Sequence, residues 1–287
     1  MSAVKAYTTR HPALAYYGLA FAISWGGVLI VVGPKGFPGT SEEVERLMPY
    51  VIPVFAAGPA LAGPLSTTFV HGKAGLREFL SRLLKWRVGG WWYGVALLAA
   101  PLLMTAVLLG LSLFSREFVP AIFTSDDKTT LLLVGIATAL AAGFFEELGW
   151  TGFAIPALRQ HHGVLSTGLI AGVLWGAWHL LVYFWTSGTV VGALALAGYL
   201  LDAFLFLTLF RVLMVWVYER TGSLLVAMLM HGSLTASARI LMPPGTAGMR
   251  LLTFDLVWAS ALCVVIAAVA WANSGQLNRL PLQRRMA

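Results

Sequence analysis

Eight apolar stretches, each long enough to cross a bilayer, follow one another along this chain of 287 residues. A membrane-spanning helix needs about 20 mostly apolar residues, because the hydrocarbon core is about 30 Å thick. We place the spans at residues 12–33, 50–71, 91–115, 130–158, 164–186, 189–218, 222–242 and 251–272. The stretches lack the alternating pattern of a membrane β-barrel. The sequence therefore predicts an all-α polytopic membrane protein, a single membrane domain over 1–287 with about eight transmembrane helices.

The composition agrees with this fold class. Hydrophobic residues make up 59% of the chain and charged residues 11%, with a mean hydropathy of +0.80, whereas a soluble domain averages about 25% charged residues. The net charge of +7 comes from cations between the spans, as in loops that face an anionic leaflet. We therefore expect the lipid bilayer, and not nucleic acid, as their partner. The single cysteine, Cys263, excludes an internal disulfide.

The distribution of Lys and Arg predicts the orientation in the membrane. With the N-terminus inside, thirteen of the 19 cations lie in inner segments and six in outer segments. Cytoplasmic loops carry the excess of Lys and Arg, so we expect both termini in the cytoplasm of a multi-pass protein of a cell membrane, namely a bacterial inner membrane. The inner set includes Arg211 and three C-terminal arginines, Arg279, Arg284 and Arg285.

A basic segment at about 75–87 follows the second span. A helix there places five apolar residues on one face, while Arg77, Arg82 and Lys85 lie off that face. The apolar residues are Leu76, Phe79, Leu80, Leu83 and Leu84. This pattern predicts a basic amphipathic helix on the inner interface. We interpret it as a surface anchor, with a substrate-binding arm as the alternative.

Two adjacent carboxylates, Glu146 and Glu147, lie in the second half of the fourth span. A charge at the centre of a bilayer costs about 2.5 kcal/mol or more, so an ionisable residue within a span indicates a functional site. Adjacent residues on a helix point about 100° apart. We therefore expect one glutamate to face the reacting groups and the other to orient it or to bind a neighbouring helix.

Two histidines lie at the expected depth of the acid pair. The rise of a helix places Glu147, His179 and His231 roughly 14–23 Å from the inner ends of their spans. Glycines flank the acid pair, and Gly172 and Gly176 precede His179. Small residues let membrane helices approach closely, so these three spans are predicted to bring two carboxylates and two imidazoles to one level.

This set of side chains is typical of a hydrolytic site. A carboxylate desolvated in a helix bundle can act as a general base that activates water against a peptide carbonyl. His231 and Thr235, at i and i+4, share one helix face and are candidates to donate hydrogen bonds to an oxyanion. The alternative for Thr235 is a bond to the carbonyl at i−4. We expect no cofactor; the alternative is a zinc ion held by Glu146, His179 and His231, a ligand set that suits catalytic zinc.

The order of these motifs resembles the CPBP family, which comprises type II CAAX prenyl proteases and bacteriocin-processing or self-immunity (ABI) proteins. The pattern is Glu-Glu-x-x-x-(Arg), aromatic-x-x-x-His and His-x-x-x-(Asn) on successive spans, within a core at about 130–240. The resemblance implies eight helices around a polar intramembrane cavity and a metal-independent glutamic-type endopeptidase. It implies Glu146 and Glu147 as the catalytic acid pair, with Glu146 as the activator of water, His179 as its partner and His231 as an oxyanion donor.

Two positions depart from the family pattern. Thr151 stands where the family has arginine, and Thr235 stands where it has asparagine. A hydroxyl offers one donor where an amide offers two, so we expect weaker stabilisation of an oxyanion.

We expect an intramembrane endopeptidase that cleaves a peptide or membrane-protein substrate, hydrophobic or lipid-linked, near the cytoplasmic leaflet. One alternative is a non-catalytic immunity or scaffold protein of the same fold. The other is a proton-coupled transporter that uses the acid pair. A transporter predicts discontinuous helices in two repeats, a pattern that we do not find in the sequence.

Overall fold

The computed structural model describes residues 3–187, 193–273 and 277. In this part of the chain every regular element is helical, and eight helices are long and apolar enough to cross a membrane. The all-α polytopic fold is therefore confirmed. The α-helices are α1 Ala3–Arg10, α2 Pro12–Val32, α3 Ser41–Leu83, α4 Gly90–Ser112, α5 Ala121–Thr124, α6 Lys128–Gly149, α7 Ile155–Arg159, α8 Val164–Thr186, α9 Ala193–Leu201, α10 Leu207–Thr221, α11 Leu224–Leu241 and α12 Met249–Ala272. A π-turn, Trp150–Ala154, joins α6 to α7, and a second, Asp202–Phe206, joins α9 to α10.

The helix that carries the second span extends beyond both predicted ends. α3 begins at Ser41 because Thr40 and Glu43 form a capping box, in which each residue's backbone N–H donates to the other's side chain. Gly72 interrupts α3 with a φ of 62°, a conformation that glycine adopts without strain. The basic segment then runs as a helix to Leu83, so residues 84–87 lie outside the helix predicted over 75–87.

This basic segment packs against the C-terminal ends of two other spans. Phe79 is buried against Gly152 of the first π-turn. Arg82, which the helical pattern places off the apolar face, donates to the carbonyl oxygen of Gly152 at 3.1 Å and to the hydroxyl of Tyr218 at 2.7 Å. Leu84 remains exposed. The segment therefore contacts the π-turn that follows the acid pair as well as presenting apolar side chains outward.

Glycines allow α8 to approach α10 closely. A Cβ atom on Gly172 would lie 2.5 Å from Cα of Thr208, and one on Gly176 would lie 2.0 Å from the carbonyl oxygen of Ala203. Gly168 approaches α10 in the same way one turn earlier. A side chain at these positions would collide with backbone atoms, so glycine is required. Gly172 and Gly176 thus make close contacts as predicted, but with α10 and the second π-turn and not with the spans that carry the acid pair and His231.

Glycines also fix α6 between α11 and α3. A Cβ atom on Gly143 would lie 2.4 Å from the carbonyl oxygen of Met228 in α11. One on Gly149 would lie 2.5 Å from the carbonyl oxygen of Pro59 in α3. The two glutamates lie between these two contacts, so their backbone is held from both sides.

One cation of the predicted inner set lies inside the bundle. Arg211 is 0% exposed and lies ten residues before the end of α10 at Thr221. Its assignment to an inner segment was wrong, and twelve cations remain on that side. Arg279, Arg284 and Arg285 lie outside the described residues. The orientation of the termini stays a prediction.

Candidate active site

Glu147 is buried and held by three partners. Its carboxylate, 0% exposed, accepts hydrogen bonds from Nη1 of Arg211 at 2.8 Å (to Oε1) and 2.9 Å (to Oε2). Nδ1 of His231 lies 2.7 Å from Oε1, and the hydroxyl of Thr151 donates to Oε2. Hydrogen bonds between charged groups are the strong ones. Both oxygens are therefore engaged, by α10, by α11 and by the π-turn.

Glu146 has a different environment. It is 8% exposed, and its Oε2 atom accepts hydrogen bonds from Nε1 of Trp175 at 2.9 Å and of Trp150 at 3.4 Å. Nε2 of His231 lies 3.9 Å from the same oxygen. Oε1 accepts no hydrogen bond from a residue that the structure describes. Glu146 is thus the carboxylate that retains an oxygen able to accept a proton from water.

His231 lies between the two carboxylates. Since Nδ1 faces the ionised carboxylate of Glu147, the contact assigns the ring proton to Nδ1. Nε2 then faces Glu146, 3.9 Å from Oε2. The ring of Trp175 packs on His231 with centroids 4.9 Å apart and limits its rotation.

His179 lies beside this cluster and touches it through Trp175. Its Nδ1 atom is 2.9 Å from the carbonyl oxygen of Trp175, and the two rings lie 5.9 Å apart. Among the described residues His179 forms no ion pair with Glu146 or Glu147. If Nδ1 donates to the carbonyl, Nε2 is the lone-pair atom of a partly exposed ring. The structure thus places both histidines beside the acid pair, His231 in direct contact with Glu147 and His179 through Trp175.

Thr235 lies one turn after His231 on α11 and is partly buried. Its hydroxyl makes no hydrogen bond to another residue within the described part of the chain, so it is not bonded back to the carbonyl of His231. The hydroxyl remains available as a donor on the face that carries His231.

No three His, Cys, Asp or Glu side chains of the described residues form a group that could hold a metal ion. The alternative zinc set of Glu146, His179 and His231 is accordingly not assembled as a ligand cluster. Nδ1 of each histidine already faces an oxygen of the protein.

Sequence reasoning missed Arg211 as a site residue. Besides its bonds to Glu147, its guanidinium lies over the ring of Trp175, 4.1 Å from the centroid, a favourable cation–π geometry. A signal was present, since Arg211 interrupts an apolar run within the predicted sixth span. Asp202 in the same span accepts a hydrogen bond from the hydroxyl of Tyr183 at 2.5 Å.

The π-turn Trp150–Ala154 was also not predicted. It begins directly after α6, and its Thr151 side chain contacts Glu147. The ring of Tyr17 from α2 stacks on Trp150 with centroids 5.7 Å apart. π-turns occur often at functional sites because they redirect side chains relative to a regular helix.

A groove of about 450 Å³ lies between α4, α6 and α11. Its walls are mostly apolar, and neither glutamate lines it; Leu140, Phe144 and Met228 are among the residues that do. Gly232, which also lines it, directly follows His231 in α11. This groove is not the polar cavity that the resemblance implies, but it reaches to within one residue of the site.

Comparison with known proteins identifies the segment that carries the site. Residues 128–237 match the family model described as type II CAAX prenyl endopeptidase Rce1-like. CAAX prenyl protease 2 of Methanococcus maripaludis is 34% identical over 71 residues, which are 25% of this chain and 21% of that relative. The chain thus spans about a fifth of the length of the relative that it matches. The five predicted site residues all lie within 128–237, the segment that is similar to type II CAAX prenyl endopeptidases of the Rce1-like family.

Proposed function

We propose that this protein is a CAAX-protease-like peptide hydrolase of the membrane, a glutamic-type endopeptidase in which Glu146 activates water. The contrast between the two adjacent carboxylates carries the proposal. Arg211, His231 and Thr151 occupy both oxygens of Glu147. Glu146 keeps one oxygen without a partner among the described residues. One carboxylate is thus a fixed structural charge, and the other is able to act as a base.

The hydrolysis follows from these positions. Oε1 of Glu146 takes a proton from water, and the oxygen of that water attacks the carbonyl carbon of the scissile peptide bond. The carbonyl oxygen becomes an oxyanion, which accepts hydrogen bonds from protonated Nε2 of His231 and from the hydroxyl of Thr235. When the C–N bond breaks, Glu146 returns its proton to the leaving amine. His179, which contacts Trp175 beside Glu146, orients the attacking water.

The apolar groove supports a hydrophobic or lipid-linked substrate. A chain lying in it would be buried between α4, α6 and α11 and would end next to Gly232 and His231. Burying a methylene group in an apolar site is worth about 0.8 kcal/mol. The groove therefore offers affinity for an apolar chain close to the atoms that cleave the peptide bond. No step of this mechanism needs a metal or an organic cofactor.

The first test uses the purified protein in lipid vesicles and a fluorogenic peptide ending in a prenylated Cys-a-a-X sequence. We expect the wild type to cleave it, and Glu146→Gln to lower the rate about 10²–10⁴-fold, the usual contribution of a general base. Glu42→Gln, at an exposed carboxylate on the first turn of α3, is the matched control and should leave the rate unchanged. A chelator should also leave the rate unchanged.

Failure has a defined form in this test. The proposed peptidase activity is overturned if the wild type cleaves neither this peptide nor any membrane peptide, and if Glu146→Gln retains the full biological effect in cells. That pair of results would favour the scaffold alternative. Comparing membrane-fraction peptides from cells with the wild type and with Glu146→Gln then identifies the natural substrate.

A further inference from the structure

Side chains from two different elements contact the carboxylate of Glu147. Position 151 lies one turn after it and contacts Oε2 through the threonine hydroxyl. Position 211, on α10, contacts both oxygens through Nη1. The two side chains therefore converge on the same carboxylate from different elements. Both positions therefore lie within side-chain reach of Glu147.

The packing of α8 against α10 accommodates the cation of Arg211. Gly168 and Gly172 of α8 lie against Val212 and Thr208, the neighbours of Arg211 on α10, at distances that exclude a Cβ atom. This approach brings Trp175, on the same helix, over the guanidinium. The cation is thus held between a carboxylate and an aromatic face, both buried.

We propose that Arg211 is a positioning residue, which supplies from α10 the cation that the related family carries one turn after the acid pair, where this chain has Thr151. Its Nη1 atom, which donates to both oxygens of Glu147, keeps that carboxylate ionised and aimed at Nδ1 of His231. That contact in turn presents Nε2 of His231 toward Glu146. The inference rests on the proposed peptidase function. It assigns the arginine that pairs with the acid pair to α10 in this chain.

A transplant of the arginine tests this arrangement. Arg211→Ala should lower kcat about 10²-fold or more with little change in KM, since Arg211 does not touch substrate but fixes the histidine that does. Thr151→Arg combined with Arg211→Ala returns a cation to Glu147 and nearly conserves the buried volume. This double variant should recover at least about tenfold of the lost kcat.

The matched control places an uncharged side chain of similar size at position 151. Thr151→Met combined with Arg211→Ala fills the same space with a side chain of similar length, and it should not recover kcat. Arg211→Lys retains a charge but lacks the planar guanidinium that lies over Trp175, so it should fold and lose part of kcat. This variant keeps the test decisive if Arg211→Ala does not accumulate in the membrane.

The outcomes separate the two proposals. A wild type without peptidase activity overturns the proposed function. A wild type that cleaves, while the arginine and methionine double variants are equally impaired, overturns the role of Arg211 alone. The role of Arg211 is also overturned if the Arg211→Lys and Arg211→Ala variants both keep full kcat. Recovery by arginine but not by methionine supports the transplanted charge.

Discussion

The two adjacent glutamates should respond in opposite ways to the same conservative substitution. Glu147→Gln should destabilise the protein strongly, whereas Glu146→Gln should abolish cleavage and leave the fold nearly intact. The reason is that three donors converge on the oxygens of Glu147, and one of them, Arg211, is a buried cation. Within the described part of the chain, only tryptophan N–H groups hydrogen-bond Glu146.

The magnitude follows from these contacts. In Glu147→Gln the new NH₂ group must face a donor, since Oε1 accepts from Arg211 and His231, and Oε2 accepts from Arg211 and Thr151. Breaking a buried ion pair by removing one partner costs about 3–5 kcal/mol. In Glu146→Gln the amide oxygen can still accept from Trp175, so about 1 kcal/mol is the expected change.

The assay is thermal unfolding of each variant in the same detergent, followed by tryptophan fluorescence. One kcal/mol shifts the midpoint by roughly 2–4 °C for a chain of this order of size, so the difference of about 2–4 kcal/mol between the variants corresponds to roughly 4–16 °C. Equal midpoints for the two variants would refute the reasoning, because they would mean that Arg211 does not depend on Glu147 for its burial.

Three further results are expected. Gly176→Ala should lower the unfolding midpoint, since its Cβ would lie 2.0 Å from a backbone oxygen of Ala203. Gly110→Ala, whose Cβ would have no atom within 4 Å, should instead stabilise the protein by up to about 1 kcal/mol through helix propensity. Similar midpoints for the two variants would contradict this steric account. Thr235→Val should lower kcat about 10²-fold by removing an oxyanion donor, while Thr235→Ser should retain most of it; a fully active valine variant excludes that donor. Arg82→Met removes hydrogen bonds to a π-turn carbonyl and to a tyrosine hydroxyl. This change should lower the free energy of unfolding by about 1–3 kcal/mol. An unchanged free energy of unfolding would show that these bonds do not stabilise the π-turn.

The number and order of the spans could be predicted because apolar length alone decides them. The common depth of Glu147, His179 and His231 followed from helix rise, since each lies in a span whose inner end is recognisable in the sequence. Glycine spacing before His179 predicted a close helix contact, and Gly172 and Gly176 make it. These inferences depend on one helix at a time, or on its length, and so need no knowledge of which faces meet.

What could not be predicted depends on backbone irregularity and on the rotation of helices about their axes. The π-turn after Glu147 shifts the faces that follow it, and no residue pattern distinguishes it from a regular turn containing Gly149 and Gly152. The left-handed φ at Gly72 ends the second span and turns the basic helix inward. A periodic pattern identified the apolar face of that helix, but it did not show that Phe79 and Arg82 contact the π-turn.

The misplacement of Arg211 has a physical lesson about how charges in spans are interpreted. Glu146 and Glu147 were treated as intramembrane charges, while Arg211, seven residues inside the predicted sixth span, was counted as a loop cation. The penalty for burying a charge applies to both signs, so an arginine at that depth also demands a partner. Pairing it with Glu147 leaves Glu146 as the uncompensated negative charge of the cluster. Nε2 of His231, the proposed donor to the oxyanion, lies 3.9 Å from Oε2 of that glutamate. Arg211 therefore neutralises the glutamate that is held in place and leaves the negative charge on the glutamate that is proposed to act as the base.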